Sequence, residues 1–262
     1  MAHSSGEGGT PSAVDAGREN PETIIGTPPI NRVTELSADG RRIISLLQEL
    51  IEPLGRAMPS TSEIVLHDLT RVPNTVIAIH GDVTGRRVGD PGTDLLLQQS
   101  VQGFPDHYLG YETRLPDGRA MRSWTAIVRD SDGTATAALC INTDLSAWHQ
   151  LRSVVESVIG PAEPETAAVP VPALHNATET PSPEHFVRNV DELASHLIRR
   201  SIDHVGLPVE AMKKKHKVEV VRLLQNQGFF HIREAVEMLA EVLDVTRFTI
   251  YNYLNEIGDA QP

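Results

Sequence analysis

The chain has 262 residues and a formal net charge of −12, with 40% hydrophobic, 22% charged and 4% aromatic residues. That length accommodates one large core or two small ones, and no apolar run reaches the ~18–20 residues that a bilayer span needs. The single cysteine, Cys140, excludes an intrachain disulfide framework and any multi-cysteine metal site; the Gly/Ser/Pro-rich start lacks the basic and apolar regions of a secretion signal, so a soluble cytoplasmic protein without membrane contact is expected.

In chain order, residues 1–36 have little to bury and are expected to be a disordered tail. From Asp39 to Leu54, Ile43, Ile44, Leu46, Leu47, Leu50, Ile51 and Leu54 fall at helical spacing, with Pro53 and Gly55 near the end. Short β-branched runs follow at 61–69, 74–80, 111–115, 119–130 and 134–142, with a short helix over 91–101. Pro116-Asp117-Gly118 and Ser131-Asp132-Gly133 punctuate the last three runs, since Asp-Gly readily supplies the positive φ that a tight hairpin needs. The expected domain, 37–159, is therefore an antiparallel sheet with one face covered by helices. It ends in a helix from Leu145 to Ile159, whose apolar stripe either pairs across a dimer or packs on its own domain.

Residues 160–183 alternate proline with small residues and carry no basic side chain, as expected of a semi-extended linker. The remaining segment, 184–262, is helical in pattern: Phe186, Val190, Leu193, Leu197 and Ile198, then Val218, Val221, Leu223 and Leu224. Within 211–254 seven basic residues stand against five acidic, so one end of an acidic chain is locally positive. The run Lys213, Lys214, Lys215, Lys217 matches a solvated helix end better than a phosphate clamp.

The stretch around 233–257 has helix-turn-helix spacing, with Ala240 at the crossing, Leu239, Leu243, Val245, Ile250 and Tyr253 or Leu254 as the wedge, and Thr246 as a cap. Asp244 takes the turn position where glycine is common, which Asp tolerates because it visits left-handed backbone. The outward residues Thr246, Arg247, Phe248, Thr249, Tyr251 and Asn252 would then face DNA, Arg247 suiting guanine and Asn252 adenine.

The segments EIVLHDL, GDVTGRRVGDPGTDLLL and RDSDGTATAALCINTDLS, followed by KVEVVRLLQNQGFFHIREAVEMLAEVLDVTRFTIYNYL, resemble the YheO-like PAS regulators with a C-terminal helix-turn-helix, the DauR type. The resemblance covers about 40–158 and 186–256. It implies an α+β fold, a PAS-like antiparallel sheet with flanking helices plus a separate all-α DNA-binding domain, in a bacterial transcription factor. The expected partners are double-stranded DNA carrying a palindromic operator, a small polar metabolite, and a second copy of the chain or a higher homo-oligomer.

In the sensor, alternation puts Glu63, Val65, His67 and Leu69 on one strand face and Ile64, Leu66 and Asp68 on the other. His67 reads equally as a ligand contact or as a satisfied core histidine. Arg86, Asp90, Thr93 and Asp94 lead into a helix whose amide end can hold a carboxylate, although Asp90 and Thr93 also suit simple caps. Cys140 and Asn142 share a face of the last strand and complete the expected ligand site. Low aromatic content argues against haem or flavin, so no cofactor, no metal and no catalytic residue is expected; His67-Asp68 with Ser62 or Cys140 lacks a catalytic frame. The alternatives are a DNA-independent interaction module and a small-molecule enzyme.

Overall fold

The structure is a computed structural model, and it describes residues 35–105, 107–115, 117–160 and 184–259. The predicted tail and linker lie almost wholly outside these residues. Helix α1 (Ala38–Ala57) is followed by β1 (Ser62–Asp68), β2 (Val76–His80), α2 (Asp94–Gln102), β3 (His107–Arg114), β4 (Ala120–Arg129), β5 (Ala135–Asp144) and α3 (Ser146–Ile159). The strands form one five-stranded antiparallel sheet in the order β2-β1-β5-β4-β3.

Ser37 starts α1 by accepting from the Gly40 amide at 2.9 Å, the N-cap arrangement that satisfies an orphan donor. Pro53 does not end the helix, which runs on to Ala57. Its last turns lie on β2: a Cβ at Gly55 would come within 2.2 Å of the His80 ring, and His80 Nδ1 is 3.0 Å from Glu52 Oε2. The sheet face below α1 is apolar, with Ile44 and Ile51 packed on Ile64, Leu66 and Ala137.

Coverage of a single face, as the sequence pattern predicts, is too narrow. All seven residues of β1 are buried, because α2 closes the second face, with Leu96 against Leu69, Ile127 and Ala138. Strand β3 also starts four residues earlier than its β-branched run, at His107, where pairing with β4 supplies what local propensity does not. Both Asp-Gly hairpins place positive φ at the glycine, Gly118 at 87° and Gly133 at 84°. Each closes by a pair of bonds, Leu115 N–H to Arg119 O with Gly118 N–H to Leu115 O, and Asp130 N–H to Thr134 O with Gly133 N–H to Asp130 O. These are three-residue turns ending in a bulge.

The C-terminal domain contains α4 (Val190–Val205), α5 (Lys214–Asn226), α6 (Ala235–Val242) and α7 (Arg247–Asp259), with single 3₁₀ turns at Val209–Ala211 and Phe229–His231. Leu193, Leu197, Val221, Leu224, Phe229, Leu239, Leu243 and Ile250 are buried in one apolar core. That core includes Leu97 of α2, so the two domains share a seam. Gly228, at φ 75°, lies so close to α2 that a Cβ would sit 2.6 Å from Leu97 O. Phe186 does not belong to the helical core as its periodicity suggests: it packs on Val83, Leu115 and Met121 of the sensor, and Val187 is the first residue of the strap that leads into α4, residues 184–189, to enter the helical core.

Candidate functional site

Two regions carry chemistry. The first is the face of α7. Helix α6 ends in a Schellman motif: Val245 N–H donates to Ala240 O at 3.0 Å and Asp244 N–H to Glu241 O at 3.2 Å, with Asp244 left-handed at φ 50°. Asp thus fills the turn position at some conformational cost. Thr246 then caps α7 by accepting from the Thr249 amide at 3.2 Å. Leu239, Leu243, Ile250, Tyr253 and Leu254 are buried between the helices, and Ala240 allows their close approach.

This packing leaves Thr246, Arg247, Phe248, Tyr251 and Asn252 exposed, and Thr249 half-buried. Phe248 is 67% exposed, unusual for so large an apolar group. Arg247 Nη1 rests 3.0 Å from Glu237 Oε1; that carboxyl is held below its usual range by the hydrogen bond from the guanidinium. The lysine run divides: Lys217 Nζ donates to Leu243 O at 2.6 Å and closes the end of α6, Lys214 pairs with Glu256 at 2.7 Å, and Lys213 and Lys215 are exposed.

The second region is a nearly filled cavity on the α2 side of the sheet, lined among others by His67, Arg86, Thr93, Tyr111, Thr125, Cys140, Asn142, Glu184 and Phe186. Five of the seven residues predicted for ligand binding, His67, Arg86, Thr93, Cys140 and Asn142, meet here. Asp90 does not, since it accepts from the Arg87 amide at 2.7 Å in an exposed turn. Asp94 is buried but faces the domain seam: it accepts from His185 N–H at 2.7 Å, and Oδ2 lies 3.1 Å from Arg200 Nη1 and 3.6 Å from His196 Nε2. The rings of His185 and His196 stack beside it at 3.8 Å.

A buried polar frame fixes the wall of the cavity. Glu63 accepts from Val83 N–H and Thr84 N–H at 3.0 Å, from Thr84 Oγ1 at 2.8 Å and from Asn142 Nδ2 at 3.1 Å, while Ser123 donates to Asn142 Oδ1 at 2.9 Å. Asn142 is therefore committed to the frame as well as lining the wall. His67 Nδ1 is 2.8 Å from Thr75 Oγ1, and burial together with the nearby Arg86 charge holds its pKa well below 6.5, so the ring is neutral. Burial also pushes the Cys140 thiol up to about 12, which removes it as a nucleophile at neutral pH; its partner is Thr125 Oγ1 at 3.3 Å. Ser62 bonds Thr143 instead of His67. Among the described residues no three His, Cys, Asp or Glu side chains are grouped to hold a metal ion.

Sequence reading missed Tyr111, Thr125, Glu184 and Phe186. Glu184 accepts from Thr93 Oγ1 at 2.5 Å and from Tyr111 OH at 3.0 Å. The only local signal was Phe186 itself, the first aromatic residue after the proline-rich stretch. A second, open groove of about 440 Å³ beside Thr70, Phe104, Arg129 and His231 contains none of the predicted ligand residues.

The model of the YheO-like PAS domain matches residues 38–160, and that of an HTH domain matches 193–255. An uncharacterised Haemophilus influenzae protein is 26% identical over 226 residues, 85% of this chain and 95% of that protein. YheO of Escherichia coli K12 is 25% identical over 225 residues, 84% and 87% of the two chains. The transcriptional regulator DauR of Pseudomonas aeruginosa is 28% identical over 201 residues, 76% and 86%.

Proposed function

Because this chain belongs to the family of transcriptional regulators that join a YheO-like PAS domain to a helix-turn-helix, we propose that it binds double-stranded DNA as a homodimer under the control of a small polar metabolite held in the sensor cavity. The observation that carries the reading is the outer face of α7, where Thr246, Arg247, Phe248, Thr249, Tyr251 and Asn252 surround the start of a helix whose opposite side is locked into the core. Arg247 and Asn252 carry the donor groups that suit guanine and adenine edges, and Phe248 suits a thymine methyl. The chain acts in the cytoplasm and has no catalytic step: the buried thiol and neutral His67 are bonded to threonines rather than to each other. Among the described residues no helix is long and apolar enough to cross a membrane.

Dimerisation falls to α3. None of its residues is buried, and Trp148, Leu151, Val155 and Val158 repeat at the three-four spacing of a two-helix seam, with Trp148 61% and Val158 80% exposed. A second copy presents the same stripe, and two-fold pairing buries both. Replacing Trp148 and Val155 by glutamate is expected to give a monomer by light scattering.

Control runs through α2. Thr93 faces the cavity, its neighbour Asp94 grips His185, His196 and Arg200 across the seam, and Leu97 sits in the helical core. A ligand that shifts the start of α2 therefore acts on the contact that holds the helical domain, and no rigid linker is needed. Gel shift and footprinting on DNA flanking the chain's own gene, and genome-wide pull-down if that fragment is silent, test the DNA role. A protected palindrome with half-sites ~10 bp apart or a multiple, lost in Arg247→Ala, Asn252→Ala and steeply salt-dependent, is expected. Absence of any specific site in both experiments at low salt would overturn it.

A further inference from the structure

Resting on the sensing role above, we propose that Glu184 to Phe186 occupy the effector's own seat, and that the effector is a small carboxylate with an apolar or aromatic group that displaces them. Glu184 belongs to no helix or strand, yet its carboxyl is turned into the cavity between the hydroxyls of Thr93 and Tyr111, at 2.5 and 3.0 Å. Two residues on, Phe186 is buried against Val83, Leu115 and Met121, its ring 5.2 Å from the Arg86 guanidinium carbon. An acid and a ring delivered by one strap describe the chemistry of what the cavity accepts.

Packing alone does not require an acid here. Burial raises the carboxyl's pKa, so the ionised group is docked against a desolvation cost that an apolar side chain would avoid. An independent observation points the same way: Arg86 Nη1 is buried beside the cavity and has no hydrogen-bond partner among the described residues. A buried guanidinium nitrogen left without an acceptor is rare and costly, and a ligand oxygen would satisfy it. With the strap in place only about 10 Å³ of space remains, one water's worth, so strap and ligand exclude one another.

A ligand oxygen on Arg86 would also explain how a free molecule can win. A tethered group competes at an effective concentration of order millimolar, and a ligand overcomes it by making a contact the tether does not make. The strap is tied to the seam as well, through His185 N–H on Asp94 and Val187 in the helical core. Its displacement loosens the tie to Asp94 of α2 and the tie to the helical core.

The test uses the full chain and titration calorimetry. The probes are the capped peptide of residues 184–187, the same peptide with glutamine in place of its glutamate, and 3-phenylpropanoate. The variant Glu184→Ala, Phe186→Ala is expected to bind the peptide and 3-phenylpropanoate saturably, and the unaltered chain at least tenfold more weakly. The glutamine peptide should bind the opened variant at least tenfold more weakly than its parent, and Arg86→Lys in that background should weaken 3-phenylpropanoate at least fivefold.

Equal peptide affinity for both proteins would overturn the proposal. So would no binding to an opened variant whose circular dichroism and thermal transition match the unaltered chain, or equal binding of the glutamine peptide. If the double variant does not fold, Glu184→Gln serves instead: a threefold or larger gain in peptide affinity is expected, and no gain overturns the proposal. The same complexes are then assayed on the DNA fragment protected in footprinting. Peptide saturation that leaves DNA affinity unchanged would refute the metabolite-controlled role while leaving the seat assigned.

Discussion

In the helical domain Ser201 is the only polar residue buried among those described, while the buried polar residues of the sensor include Glu63, His67, Arg86, Thr93, Asp94, Ser123 and Asn142. The helical core is one continuous apolar cluster, whereas the apolar core of the sensor is broken into several small ones by these groups. An apolar core specifies a shape with few directional demands and leaves function to the outside of α7. A polar core requires every donor and acceptor to be matched, and what it defines is the inside of a cavity. One domain offers its polar chemistry on the surface, the other in its interior.

The largest expected effect tests the polar side of that contrast. Glu63→Leu strips four donors of their acceptor and leaves Arg86 without its nearest carboxylate, 3.9 Å away; a loss of about 3–5 kcal/mol is expected from urea unfolding. On the apolar side, Leu243→Ala removes a fully buried wedge residue and should cost ~2–5 kcal/mol by transfer and cavity terms. The two should also differ in kind: Leu243→Ala abolishes DNA binding, and Glu63→Leu abolishes effector response first. A Glu63 variant as stable as the parent would show that the frame contributes little to stability.

A smaller effect comes from pH. His67 is neutral when folded because its pKa is well below 6.5, while the unfolded imidazole takes up a proton near that value. The unfolded state therefore binds more protons, and stability falls as pH drops below 6.5, by up to ~1.4 kcal/mol per pH unit from this group. Glu184 works in the opposite sense: with its pKa raised, its contribution is fullest at low pH and is lost as pH rises through the folded value. The difference between the parent and His67→Gln, measured by urea unfolding at pH 7.5, 6.5 and 5.5, isolates the histidine, and the variant should lose part of the acid sensitivity. Leu243→Ala removes no titratable group and should leave the slope alone. The smallest effect is expected from Asp244→Gly, which relieves left-handed backbone at φ 50° at the cost of a more flexible unfolded chain; a net gain of roughly 0.5 kcal/mol in thermal unfolding would follow.

Legibility follows the same division. The helix-turn-helix could be read because its code is local: a small residue at 240, a cap at 246, apolar residues three and four apart, and a turn residue that tolerates positive φ all lie within twenty positions. Sensor strands were legible from β-branched runs and Asp-Gly turns, but the early start of β3 was not, since its register comes from β4. Asp94 shows the limit well. Its position at the start of α2 was legible, and its direction was not, because His185, His196 and Arg200 claim it from the other domain.

By itself, then, the sequence determined the two domain types, the element order, the caps and turns, and five of the residues that wall the cavity, because periodicity, capping and backbone φ act over a few residues. Tertiary structure alone decided that β1 is covered on both faces, that no residue of α3 is buried among the described residues, and that Glu184 and Phe186 line the cavity. The bonds from Thr93 and Tyr111 to Glu184 join residues 91 and 73 positions apart. Contacts at that separation form only when a shared core brings the elements together, and no local pattern encodes which side chains then meet.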